Sequence, residues 1–185
     1  MAATVALVKA RPGPGEVAAN EAKILQYARR AGQLGAAVTV FPELMLTGVG
    51  PSDLGAGDDL RRHADQALTR LARALDREGL GGRHVVVGTT GTGLADRPTN
   101  AAAVLHKGKV ALATASSDHA DDAVFSARGH RFALAIGRVP GPVRAVAADA
   151  VLVLADGLAY AADQAGHPIS PAPADHEGLT LWTAK

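Results

Sequence analysis

VALVKARPGPGEVAANEAKILQYARRAGQLGAAVTVFPEL, from Val5 to Leu44, reads as a strand, a helix and a second strand. The run Thr4 to Val8 is short, apolar and β-branched, and Pro12, Gly13, Pro14 and Gly15 end it as a turn. Asn20 stands where a helix N-cap is expected, and Ile24, Tyr27, Ala28, Ala31 and Leu34 then recur at helical spacing. Gly35 suits the stop. Ala37 to Phe41 is a short run, apolar apart from the β-branched Thr39, which predicts a buried strand that Pro42 terminates.

Working outward, Pro42 to Leu54 is a loop rich in Gly, Pro and Ser. A second helix follows near residues 58 to 78, with Leu60, Ala64, Leu68, Leu71 and Leu75 on one stripe, and Gly79 to Gly82 closes it. From there strands dominate. His84 to Thr89, Asn100 to Leu105 and Val110 to Thr114 are apolar runs, the last two joined by the turn residues Lys107-Gly108. Arg128-Gly129 joins Val124 to Ser126 with Arg131 to Ile136 in a second hairpin. Pro142 to Ala148 suggests a short helix, Val151 to Leu154 a buried strand, and Leu158 to Ala162 and Leu179 to Thr183 two more. Alternation that gives way to strands predicts an α/β fold with a mixed sheet, in one domain over residues 1–185.

Composition narrows the function classes. Lys and Arg number 19 against 18 Asp and Glu, so no strong field draws in nucleic acid or anionic lipid, and neither partner is expected. The absence of cysteine removes disulfides, thiolate nucleophiles and Cys-ligated metals together. No stretch approaches 18 uninterrupted apolar residues, and Met1 to Arg11 carries no basic leader or small-residue cleavage site. A cytoplasmic protein is expected. With only 3% aromatic residues, the core must be built from Val, Leu, Ile and Ala.

The stretches Val5 to Leu25 and VTVFPELMLTG, Val38 to Gly48, resemble an amidase of the nitrilase superfamily of carbon-nitrogen hydrolases. PSDL at Pro51 to Leu54 narrows the resemblance to the glutaminase domain of glutamine-dependent NAD synthetase. VVVG at Val85 to Gly88 and TNAAAVLHKGKV at Thr99 to Val110 follow in the same order. The resemblance implies an αββα sandwich with mixed sheets, here truncated, and pairing of sandwiches into dimers. It also implies a Glu, Lys and Cys triad. The Glu of the FPEL motif is Glu43; the lysine slot falls near Ser116, in ALATASSD; the cysteine slot, after the strand RFALAI, is Gly137. A loop before the second hairpin and a helix-strand unit after Leu154 are missing from the pattern.

Amide hydrolysis by this route needs a nucleophile to form an acyl-enzyme, a base to move protons and a cation for the developing oxyanion. Leu134 to Pro140 contains no Ser, Thr or Cys, so no conservative swap supplies the first. Glu43 then has two readings: an inherited carboxylate bonded to loop amides, or part of a pocket that still holds an amide or carboxylate. Arg138 is a candidate guanidinium for such a ligand, against the alternative of a solvated surface residue. Other motifs are weaker. Gly88 to Gly93 lacks the Gly-Lys-Ser/Thr ending of a phosphate loop and is expected to be a turn at a strand end. Asp118, His119, Asp121 and Asp122, and Asp175, His176 and Glu177, are adjacent rather than facing residues, which suits solvated loops better than a metal site. No G-x-S-x-G elbow exists. No metal and no cofactor are expected.

The sequence therefore points to a non-catalytic nitrilase-like protein acting as a binding or partner subunit, alongside an amide- or ammonia-handling enzyme. An amidase of altered mechanism with Glu43 as general base is the alternative, and a purely structural oligomer component a third. Loss of a helix-strand unit predicts bare apolar surface, covered by a homo-oligomer or a protein partner. Compensation for the lost lysine predicts a contact of Glu43 with Arg138, or with backbone amides of the Thr47 to Gly50 loop.

Overall fold

The computed structural model describes residues 2–50, 58–92, 98–114, 123–137, 148–172 and 175–184. Its first half is the expected unit: β1 (Ala3–Lys9), α1 (Val17–Gln33) and β2 (Val38–Val40), with β2 parallel to β1. Next come α2 (Asp58–Arg77) and β3 (His84–Thr92), parallel to β2, and then β4 (Pro98–His106) and β5 (Lys109–Thr114) as antiparallel neighbours. The second half contains β6 (Val124–Ala127), β7 (His130–Ile136), β8 (Ala150–Ala155) and β9 (Leu158–Ala162). The last strand, β10 (Gly178–Ala184), returns to pair antiparallel with the whole of β1.

The strands form a curled sheet that folds into two facing halves. One half has the order β5-β4-β3-β2-β1-β10, the other β9-β8-β7-β6. They are joined where β1 ends, by the pair Lys9 and Leu158 and by Ala10 N donating to Gly157 O at 3.1 Å. Strand alternation sorts the apolar residues into layers. Val5, Leu7, Val38, Val40, Val86 and Ala102 face inward and meet Phe132, Leu134, Leu152 and Leu154 of the other half. Val8, Phe41, Val85, Val87, Ala103 and Leu105 face outward under α1 and α2. The result is the mixed α/β architecture of an αββα sandwich in shortened form; both helices of the described residues lie on the first half.

The helices have the expected periodicity. In α1 the buried positions Val17, Asn20, Ile24, Ala28 and Ala31 fall three or four apart, and in α2 Ala64, Leu68, Leu71 and Leu75 do the same. Two forked ion pairs clip one helix region to the other: Arg70 grips Glu21 at 3.1 and 2.7 Å, and Arg29 grips Glu78 at 2.7 and 2.6 Å. Both hairpin turns put two residues at positive φ, Lys107 with Gly108 and Arg128 with Gly129, the backbone of a type I′ turn. No described helix is long and apolar enough to cross a membrane.

Two expectations are corrected. Asn20 does not cap α1: the helix begins at Val17 after Glu16, and Asn20 is buried inside it. Its amide has other work, accepting from Gly13 N at 2.8 Å and donating to Gly13 O at 2.8 Å and Leu46 O at 3.1 Å. Gly88 to Thr92 is not a turn, because β3 continues through it in register with β4 down to Thr92 and Pro98. On the outside of the second half, Ala133, Val151, Val153 and Ala162 are buried together with Ala148. Of the proposed helix Pro142 to Ala148, Ala148 is not helical and the rest lies outside the described residues.

Candidate functional site

The site is assembled where strands of both halves end. β2 places Phe41 so that its N–H donates to Val86 O at 2.9 Å, and Pro42 then stops the ladder. Glu43 crosses over, its N–H donating at 3.0 Å to Ala155 O at the end of β8. The loop after it is held on both sides. Leu46 N donates to Gly88 O at 3.0 Å, and Gly15 N donates to Thr47 O at 2.8 Å, beside the Asn20 amide that grips Leu46 O. Leu44 has φ of 53°, a left-handed conformation that costs energy in any residue with a Cβ and persists only under such restraint.

Gly88 explains how the loop comes so near β3. A Cβ built there would lie 2.1 Å from Pro42 O, 2.7 Å from Leu44 N and 2.8 Å from Glu43 Cα. Only a residue without a side chain lets the glutamate's backbone rest on the strand.

Gly137 directly follows β7, and its N–H donates to Leu154 O at 2.7 Å, so the end of β8 anchors it as it anchors Glu43. A Cβ at Gly137 would lie 3.8 Å from Glu43 Oε2, with nothing else of the described residues beyond its chain neighbours within 4 Å. Its φ is +82°. The structure thus brings Glu43 and Gly137 together across the two halves. Ser116 and Arg138 lie outside the described residues.

The partner of the Glu43 carboxylate is Asn100, whose Nδ2 donates to Oε1. Asn100 belongs to the motif TNAAAVLHKGKV, in which sequence alone assigns it no role. A polar pair, Thr99-Asn100, opening an apolar strand was the available signal. Burial pushes the Glu43 carboxyl above the ordinary carboxylate range; the bond from Asn100 opposes this, and the charge of Asp156 adds to it. Among the described residues Asn100 Oδ1 is buried without a partner, and so is the hydroxyl of Thr90, its cross-strand neighbour on β3. A carboxyl with raised proton affinity is therefore bonded to an amide whose oxygen, like the hydroxyl opposite it on β3, has unused hydrogen-bonding capacity. Such a set can hold a small polar group, and Glu43 can accept a proton from it.

The second acidic cluster is structural. Arg11 N donates to Glu177 Oε1 at 2.7 Å, Lys23 pairs with Glu177 at 3.4 Å, and Lys9 Nζ donates to Asp175 O at 3.2 Å, which ties the approach to β10 against the end of β1. Asp118, His119, Asp121 and Asp122 lie outside the described residues.

A carbon-nitrogen hydrolase family model matches residues 4–121. The chain belongs to the carbon-nitrogen hydrolase family. Among solved structures, this family member is similar to the glutamine-dependent NAD+ synthetase from Acinetobacter baumannii, at 20% identity and a TM-score of 0.78 over 99% of this chain. The match spans 45% of the synthetase, so the chain corresponds to less than half of that enzyme. It is also similar to the amidase from Nesterenkonia sp. AN1, of the nitrilase superfamily, with TM-scores of 0.68 at 18% and 19% identity. These matches cover 97% of this chain and 92% and 90% of the amidase. One of those amidase structures shows acrylamide added to the active-site cysteine of a glutamate-to-glutamine variant. At such identities the likeness establishes the fold alone. No curated protein sequence matches the chain.

Proposed function

We propose that this carbon-nitrogen hydrolase relative is non-catalytic, holds a small primary amide or carboxylic acid against the bonded pair of Glu43 and Asn100, and acts as a binding or partner subunit beside an amide- or ammonia-handling enzyme. One observation carries the reading. The backbone position whose side chain would meet Glu43 Oε2, at 3.8 Å from its Cβ, is glycine. A site that offers a base and hydrogen-bonding groups but only a hydrogen atom in that place can bind an amide and cannot acylate on it. The unpartnered oxygens of Asn100 and Thr90 support binding, because buried polar atoms are rarely left without a partner. An amide NH2 is the better complement to an ionised Glu43, and a carboxylic acid would enter with one shared proton.

The test is release of ammonia from glutamine, asparagine, butyramide and simple nitriles, run with titration of butyramide against the Asn100 side-chain amide signal. Binding without turnover supports the proposal; turnover above buffer background overturns the non-catalytic part. A second reading, hydrolysis with Glu43 as general base on bound water, is favoured by the raised proton affinity of Glu43. It requires turnover that disappears in Glu43→Gln.

A further inference from the structure

A cavity lies at the other end of β3 from Asn100 and Thr90. His84 opens that strand and Thr90 lies near its far end, a separation of roughly 20 Å at about 3.3 Å per residue. The cavity, about 470 Å³, is set between the edge strands of the two halves, with Val104 and Leu134 among its apolar walls. That volume is in the range that accepts one small organic molecule.

Its walls are not merely apolar. The rings of His84 and His106 stack at 3.9 Å with 6° between their planes, and Phe125 continues the stack on His84 at 5.0 Å and 24°. Phe125 in turn meets Phe132 at 5.7 Å, so a row of rings runs from one half of the sandwich to the other. Burial first, and then the electrostatic influence of His106 and Lys107, holds the His84 ring down to about 4, so His84 is neutral at physiological pH. His106 Nδ1 lies 3.1 Å from Arg83 O and donates to it in the neutral ring, which leaves Nε2 as an acceptor. The ring nitrogens of His84 make no hydrogen bond among the described residues. Lys109 lines the same cavity, exposed and with no carboxylate paired to it among the described residues.

We propose that this cavity is a binding site for a small aromatic carboxylic acid, its ring laid across the edges that the stacked His84, His106 and Phe125 rings present to the cavity and its carboxylate on Lys109. Ring edges carry the positive end of the quadrupole and select a π-face, the ammonium selects an anion, and the imidazole nitrogens at the same edges accept a ring hydroxyl or N–H. A metal ion fits less well: no group of three ligating side chains exists among the described residues, and two parallel imidazoles do not converge on one point.

The probe is 2-naphthoate, titrated into the intact protein by calorimetry and by the histidine ring signals in NMR. Saturable one-site binding is expected, with the signals of His84 and His106 moving and that of the Asn100 amide unmoved. Uncharged 2-naphthylmethanol and the ring-saturated cyclohexanecarboxylate should each bind about fivefold more weakly or less. Lys109→Met should weaken 2-naphthoate about fivefold and leave 2-naphthylmethanol unchanged. Phe125→Leu should weaken both by up to about tenfold. No saturable binding at millimolar probe, equal affinity in Lys109→Met, or shifts confined to Asn100 would each overturn the proposal.

Discussion

Gly88→Ala is the sharpest perturbation of the link between fold and site. The added methyl would sit 2.1 Å from Pro42 O and 2.7 and 2.8 Å from Leu44 N and Glu43 Cα, all of them backbone atoms that no side-chain rotation can move. Ordinary carbon contacts need more than 3.4 Å, so β3 and the Pro42 to Leu44 segment must separate by over an ångström. That segment is already restrained by Ala155 O, by Gly88 O through Leu46, and by the left-handed Leu44. Overpacking a rigid contact costs about 1–3 kcal/mol, and with backbone on both sides the upper end is expected, about 3 kcal/mol. Gly178→Ala is the control, since nothing lies within 4 Å of a Cβ there and its φ is not left-handed; a change within about 0.5 kcal/mol is expected. Urea denaturation gives both numbers. The Asn100 side-chain signal reports whether Glu43 moved, because the displaced carboxylate loses its donor. A Gly88→Ala protein as stable as Gly178→Ala, with the Asn100 signal unchanged, would refute the close approach.

Asn20→Ala removes three bonds that join the Pro12 to Gly15 turn, α1 and the Glu43 loop, and should destabilise the fold by about 2–4 kcal/mol in the same denaturation assay. Asn100→Ala should lose about 1–2 kcal/mol and raise the Glu43 titration midpoint further, read from the carboxyl carbon by NMR, since the bond that opposes the effect of burial is gone. His84 gives a pH dependence. Its folded value, about 4, is below the ordinary 6.5, so the unfolded chain binds the proton more readily and stability is full above pH 6.5 and lost as pH falls toward 4. The half-buried ring is partly screened by water, which limits the loss to about 1–2 kcal/mol; an unchanged slope of stability against pH in His84→Phe would show that the group is not responsible.

The elements were legible because each has one dominant period. Ile24, Ala28 and Ala31 mark a helix face, and the apolar runs at Val38, Val85, Phe132 and Val151 mark strands buried on both sides. Gly88 to Thr92 misled because a glycine-rich stretch signals a turn when only neighbours in sequence are considered, whereas here Gly88 makes room for a loop far away in the chain. Asn20 misled for the same reason: its partners, Gly13 and Leu46, are supplied by tertiary contact, and its type suggested a local cap. At the site, Glu43 and Gly137 could be singled out from motif resemblance. Asn100 was not, since its role depends on the register that sets it opposite Thr90 and beside the glutamate.

β1 and β10 pair from Ala3 with Ala184 to Lys9 with Gly178, so nearly the whole described chain separates two neighbouring strands. Closing a loop of roughly 170 residues costs about 4–5 kcal/mol in chain entropy before the pairing returns anything, so this contact forms late. During synthesis at about 5–20 residues per second, the open edge of β1 waits on the order of ten seconds or more for its partner to be made. A β-branched edge bare for that long is a template for pairing with other nascent chains. The yield of folded protein should therefore depend on holding β1 apart from its neighbours until β10 emerges, a demand set by chain connectivity and separate from the stability of the finished fold.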